Sequence, residues 1–218
     1  MARKTYLQLV NDVLIRLREP EVTSVTDNTY SKLIGRYVQD AQRQVEDAYN
    51  WNALTNTLTM NTVANLFNGV LVGSGTRFRV LSIINDTSDW FLTYKSSTEM
   101  DDLFLNQSTQ VGPPLYYNFN GVDTAGDTQV DLYPIPNGVY VIRFNIIQPQ
   151  DPLQFDSDEI LVPAEPVIFL AYAKALAERG EDGGMSSSEA YALYQTSLAD
   201  HISTEGNRYP NELNWNAA

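Results

Sequence analysis

The sequence predicts an α+β fold: a four-helix bundle formed by N- and C-terminal helix pairs, with a central antiparallel β-rich insertion. Two observations predict it. Apolar side chains recur at helical spacing near both ends of the chain, whereas the middle alternates with period two and is rich in β-branched and aromatic residues. The expected units are a helical bundle domain of residues 1–52 and 164–205, a β-rich insertion domain of 53–163, and an extended C-terminal docking tail of 206–218. With 43% hydrophobic residues and no cysteine among 218, the fold must rest on packing rather than on disulfides or thiolate zinc sites.

Thr5-x-x-Gln8 has the form of a capping box, and Tyr6, Val10, Val13, Leu14 and Leu17 share a helical face. Asp12 and Arg16 form an i,i+4 pair, and Glu19-Pro20 stops the helix because the residue before proline avoids helical backbone. Asp27 or Asn28 caps a second helix near Tyr30 to Tyr49, whose stripe of Ile34, Val38, Ala41, Val45 and Ala48 suits the close approach of another helix. On a different face Arg36, Asp40, Arg43 and Asp47 form a charge ladder, read either as solvated or as a candidate subunit interface.

Strands are expected over Arg77–Ile84, Trp90–Tyr94 and Val139–Ile146, with weaker candidates at Leu54–Met60, Leu115–Phe119 and Val130–Tyr133. Asn68-Gly69, Asn120-Gly121 and Asn137-Gly138 read as turns around them, and Ser97 to Leu105 as a short helix. Pro163-Ala164-Glu165-Pro166 restores helix. The stretch Val167 to Arg179 is apolar on more than one side, so it belongs centrally in the bundle, and Gly180 offers its C-cap. Ser186-x-x-Glu189 reads as the capping box of a last helix to about Glu205, with Tyr191, Tyr194, Leu198 and Ile202 on its buried stripe. In the tail Arg208, Tyr209, Leu213 and Trp215 are the candidate docking contacts. The alternative is that Trp215 folds back on its own bundle.

Function classes narrow by what the chain lacks. The net charge is −13, and because residues 1–60 balance at seven Lys/Arg against seven Asp/Glu, the whole excess of 7 against 20 lies beyond them. Such a chain is a poor reader of DNA phosphates, although an acidic passage would let DNA slide without sticking. No run is long enough to span a bilayer, and the first residues lack a secretory core, so a soluble chain is expected. The lone His201, expected on a polar face, cannot support an imidazole site. Gly73-Ser74-Gly75-Thr76 lacks the lysine of a phosphate loop, and Asp123, Asp127 and Asp131 are spaced wrongly for a calcium loop. Asp156-Ser157-Asp158-Glu159 reads as a solvated turn with, at most, weak cation affinity. No catalytic residue, metal or cofactor is expected.

Four stretches carry a resemblance. Tyr6-Leu7-Gln8-Leu9-Val10-Asn11-Asp12-Val13-Leu14-Ile15-Arg16-Leu17, Ala41-Gln42-Arg43-Gln44-Val45-Glu46-Asp47-Ala48-Tyr49-Asn50-Trp51, Leu132-Tyr133-Pro134-Ile135-Pro136, and Ala171-Tyr172-Ala173-Lys174-Ala175-Leu176-Ala177-Glu178-Arg179-Gly180-Glu181-Asp182-Gly183-Gly184 together resemble, in order, the tail tubular protein A family of short-tailed bacteriophages (podoviruses). The resemblance spans nearly the whole chain and is least distinct between Asn61 and Gly112. It implies a non-enzymatic virion protein made in the host bacterial cytoplasm. It further implies a homo-oligomeric ring, dodecameric in that family, between the portal protein and the tail nozzle (tail tubular protein B), lining the channel through which the genome is retained and ejected. Bundle and tail would engage the portal, and the insertion the nozzle, with tail fibres an open third contact. Two rivals are weighed. The 13 Tyr and 3 Trp residues would suit a carbohydrate-binding module of a phage tail, and the many carboxylates a peptidoglycan-degrading virion enzyme.

Overall fold

The computed structural model describes residues 3–105, 108–180 and 185–208. The chain divides into two compact units, residues 1–54 with 149–218, and residues 55–148.

The first unit is helical. Helix α1 (Tyr6–Arg16) starts at a complete Thr5/Gln8 capping box and buries Tyr6, Leu9, Val10, Val13 and Leu14. Helix α2 (Thr29–Ala48) starts at Asn28, whose side chain accepts from the Ser31 N–H while Ser31 returns the bond, and its buried stripe runs from Ser31 to Glu46. Helix α4 (Ala164–Arg179) follows Pro163 and ends at Gly180, where a φ of 64° is the left-handed conformation that glycine adopts without steric cost. It packs on α1, α2 and α5 (Met185–Gly206), as its all-round apolar sequence predicts.

Four terminal helices do form, but they do not make the expected four-helix bundle. Helices α1, α2 and α4 pack pairwise, whereas α5 lies chiefly against α4. A closed bundle needs each helix to bury a stripe against two neighbours. Helix α5 buries only Ala190, Tyr194 and Ser197 among its described residues, and leaves Tyr191 and Leu193 about half exposed. Its true stripe is displaced from the predicted one, and Ser186 lies inside the helix rather than at its cap. The segment 149–163 also belongs to this unit, with Leu153, Ile160 and Val162 buried.

The second unit contains two four-stranded sheets and a fifth helix. Strands β1 (Thr55–Asn61), β8 (Val141–Ile147), β3 (Arg79–Asn85) and β4 (Trp90–Phe91) form one sheet in that order. Strands β2 (Asn68–Leu71), β7 (Thr128–Tyr133), β6 (Tyr116–Val122) and β5 (Thr93–Tyr94) form the other. All pairs are antiparallel except β5 with β6. The strand-rich middle therefore departs from the expected purely antiparallel insertion in this pair, whereas α3 (Ser97–Leu105) forms where a short helix is expected. Both sheets contribute to one hydrophobic cluster, with Met60, Ile83, Ile142, Phe144 and Ile146 from the first and Leu71, Tyr117, Val130 and Leu132 from the second.

Two of the three expected turns are strand residues. Gly69 lies in β2 because a Cβ there would meet the Met60 sulfur at 2.6 Å, so glycine permits the close approach of neighbouring chain. Gly121 lies in β6 with φ 78°, where the register with β7 shifts between Phe119 and Val122. The expected single strand Trp90–Tyr94 is split. The Leu92 N–H bonds to Ile83 in one sheet, the Thr93 N–H bonds to Leu115 beside the other, and the Leu92 side chain fills the core between these bonds.

Candidate functional site

The helical unit carries a cleft of about 740 Å³ with a mainly apolar lining. Trp51, Ile160, Val162 and Ile168 supply its floor, and Arg3, Lys4, Arg16 and Arg208 its cationic groups. Local folding places each wall. The capping box at Thr5 holds the preceding residues extended, and the Ile160 N–H bonds to the Lys4 carbonyl while the Tyr6 N–H bonds to that of Asp158. Trp51 is fixed by its indole N–H, which donates to the Val45 carbonyl at 2.7 Å, and by an edge contact with Tyr49. The last turns of α5 bring His201, Glu205 and Arg208 to the rim.

The polar groups of the rim are already engaged. Lys4 Nζ lies 2.6 Å from the Asp12 carboxylate, and Arg16 donates to the Asp12 carbonyl while its guanidinium stacks over the Phe169 ring. This replaces the expected Asp12–Arg16 side-chain pair. Glu205 accepts from the Asn52 N–H at 3.1 Å and from Arg208 at 3.3 Å. His201 is half-buried, and its Nε2 is 3.3 Å from Glu165 Oε2. A histidine within hydrogen-bond distance of one carboxylate does not by itself make a catalytic constellation.

The ladder residues Arg36, Asp40, Arg43 and Asp47 are all exposed on α2. Arg36 donates to Gln39 at 3.1 Å. Asp40 faces Lys174 of α4, whose pKa is lowered by burial and partly restored by that carboxylate. Of the predicted tail contacts, Arg208 is exposed beside Glu205, and Tyr209, Leu213 and Trp215 lie outside the described residues.

The acidic motifs turn out to be internal braces. Asp127 accepts from the N–H groups of Gly73 and Gly75, so the glycine turn that resembles an anion cradle holds a carboxylate of its own chain. Asp123 closes its own turn by accepting from Ala125 and Asp127. Asp158 accepts from Gln154 and Phe155, and Asp156 accepts from the Val25 N–H. Among the described residues no group of three or more His, Cys, Asp or Glu is placed to hold a metal, and no helix is long and apolar enough to cross a membrane.

The family model for the SU10 adaptor protein matches residues 4–215. The chain belongs to the SU10 adaptor protein family. It is thus a phage structural adaptor, a virion component that joins other virion proteins. The match replaces tail tubular protein A as the family in evidence. No curated protein matches the chain. Sequence reasoning missed the cleft because its walls come from four separated segments, 3–16, 51–53, 160–168 and 201–208, which no local pattern links. The one available signal was the spacing of Ala190, Tyr194, Ser197 and His201, in which small residues stand where bulky ones were sought.

Proposed function

We propose that this SU10-family adaptor works as a closed ring between portal and tail nozzle, lining the path of the genome during retention and ejection through a short tail. The observation that carries the reading is the family match over residues 4–215. The resemblance to tail tubular protein A supplies the finer terms: a dodecamer, in a podovirus neck, with the nozzle as the second neighbour.

A ring requires two different complementary faces on each subunit, so that a head-to-tail contact repeats until it closes. The exposed, alternating charges of Arg36, Asp40, Arg43 and Asp47 suit one of them. The helical unit, residues 1–54 and 149–218, is assigned to the portal, and the β unit, residues 55–148, to the nozzle and to any fibres. The excess of acid beyond residue 60 favours a wall that DNA passes without adhering. Native mass spectrometry of the chain mixed with its portal tests this. The parent should form a ring on the portal, and the double variant Arg36→Glu/Arg43→Glu should lose or weaken it. Normal assembly of the variant would return the ladder to solvent, and a strictly monomeric parent on an intact portal would overturn the ring.

A further inference from the structure

We propose that Asp131 and Asp101, with amide oxygens from Asn68 and Asn118, bind a hard divalent cation of the calcium class between α3 and the strand pair β6–β7. The sheet face turned away from the shared core carries the ligands. Val130 and Leu132 of β7 and Tyr117 of β6 enter that core, so Asp131, Tyr133 and Asn118 stand on the opposite face. In register, Asp131 lies between Asn68 of β2 and Asn118 of β6, and directly opposed side chains share a face. Helix α3 covers this row at two points. The Asn118 amide donates to the Ser97 hydroxyl at 2.9 Å, and the Phe104 ring packs against those of Tyr133 and Phe67. Asp101 follows Ser97 by four residues and precedes Phe104 by three, so it shares with them the helix face that meets the sheet.

One atom in this row is unsatisfied. Only 9% of Asp131 is exposed, and its Oδ1 is buried without a hydrogen-bond partner. An ionised carboxylate in such a place has lost its hydration without compensation, and a second carboxylate nearby adds repulsion. Burial raises the Asp131 pKa, a hydrogen bond from Asn120 lowers it, and the Asp101 charge raises it again. Lys95, just before α3, pairs with Glu99 at 3.1 Å. A divalent cation between the two carboxylates removes both the lost hydration and the repulsion. Carboxylate and amide oxygens suit calcium, which takes about six to eight oxygen ligands and completes them with water, whereas zinc prefers imidazole and thiolate. With two charged ligands the affinity belongs at the weak end of the calcium range, about 10⁻⁴–10⁻³ M. Bound there, the ion fastens α3 to its sheet. The inference concerns the β unit alone and does not depend on the ring.

Equilibrium dialysis of the full-length chain against calcium, in potassium chloride at physiological strength, tests this. The parent should hold a single saturable ion, and Asp131→Asn should lose it. Asp101→Asn should weaken it at least about tenfold, and Asp200→Asn, at an exposed position of α5, should leave it unchanged. Melting supplies the second readout. With calcium chelated, Asp131→Asn should melt at or above the parent, because the uncompensated carboxylate is gone. In millimolar calcium the parent's midpoint should rise by about 3–8 °C and overtake that of the variant, which should not move. No saturable ion on the parent would leave Asp131 a neutral acid and overturn the site. So would full affinity in either site variant, or an equal loss in Asp200→Asn, which would mark diffuse attraction to a chain of net charge −13.

Discussion

The two units solve packing in opposite ways. In the helical unit, small residues let backbones approach. Ala41, Ala171 and Ala175 are fully buried, and a Cβ on Gly35 would collide with the Tyr6 hydroxyl and lie 2.8 Å from Val25. Polar clamps then fix the loops: Asn11 bonds both the N–H and the carbonyl of Val22, and Gln39 bonds the Leu153 carbonyl. In the β unit, bulky groups fill a shared core, and edge-on aromatic contacts run from Tyr94 through Tyr117 and Phe119 to Phe78. It also shows large apolar side chains to solvent, including Leu81, Phe91 and Val139. Leu81 is the extra residue where the register of β3 with β8 shifts, so the bulge itself turns it outward. The helical unit relies on close backbone approach and polar clamps, and the β unit on a core of bulky side chains; both leave large apolar groups exposed, Phe155 and Leu193 among them in the helical unit.

The sharpest way to break this comparison is to open the β core. Phe144 is fully buried on β8, which pairs on both sides, and Phe144→Ala should cost about 3–5 kcal/mol. Hydrogen exchange should show protection lost across residues 55–148, and a uniform loss in which the helical unit is equally affected would erase the distinction. Next is overpacking of the helical unit. Gly35→Ala must displace Tyr6 and Val25 and should cost about 1–3 kcal/mol by chemical denaturation. No loss there would mean that the α1–α2 approach is not tight.

Arg179 tests the clamps. It pairs with Glu19, donates to the Tyr30 hydroxyl at 2.9 Å and stacks over the Tyr30 ring, joining the ends of α4 and α1 to the start of α2. Since Arg179 and Glu19 are only partly buried, Arg179→Met should cost about 1–2 kcal/mol, read as a lower thermal midpoint. A smaller effect of opposite sign is expected at Asp131 in the β unit. Burial raises its pKa, the Asp101 charge adds to this, a hydrogen bond from Asn120 opposes it, and its Oδ1 has no hydrogen-bond partner. A carboxyl with a raised folded pKa weakens the fold as pH climbs through that value. Asp131→Asn should therefore gain up to about 1 kcal/mol at neutral pH, fading in acid.

The smallest effect is local. Glu99 accepts from the Ser96 N–H, with Lys95 and the Ser96 hydroxyl assisting, and its carboxyl is held at about 2. Its folded pKa lies below the ordinary value, so the start of α3 should keep this support above about 4.5 and lose it as pH falls toward 2. A titration of the Glu99 side chain by NMR reads it, and an ordinary midpoint would remove the cap.

Most of the secondary structure was legible because periodicity and caps are local. Thr5/Gln8, Asn28 and Gly180 stand where the sequence puts them, as does the helix Ser97–Leu105. The turns failed for a definite reason. Asn-Gly favours positive φ, but Gly69 answers to Met60 across the sheet and Gly121 to a bulge, and both are tertiary demands on a local motif. The bundle failed similarly. Four amphipathic stretches do not reveal which helix lies chiefly against one other, and α5, with Ala190 and Ser197 on its inner face, contacts chiefly α4. The four ladder residues are exposed on α2, and the cleft, assembled from four distant segments, was not legible.

Electron cryomicroscopy of the neck of the intact particle tests the central claim most directly. The account expects a closed ring of this chain between portal and nozzle, with helical units toward the portal, β units toward the nozzle, and the Arg36–Asp47 ladder between neighbouring subunits. A neck without such a ring, or this chain found as an isolated decoration on the tail surface, would contradict it.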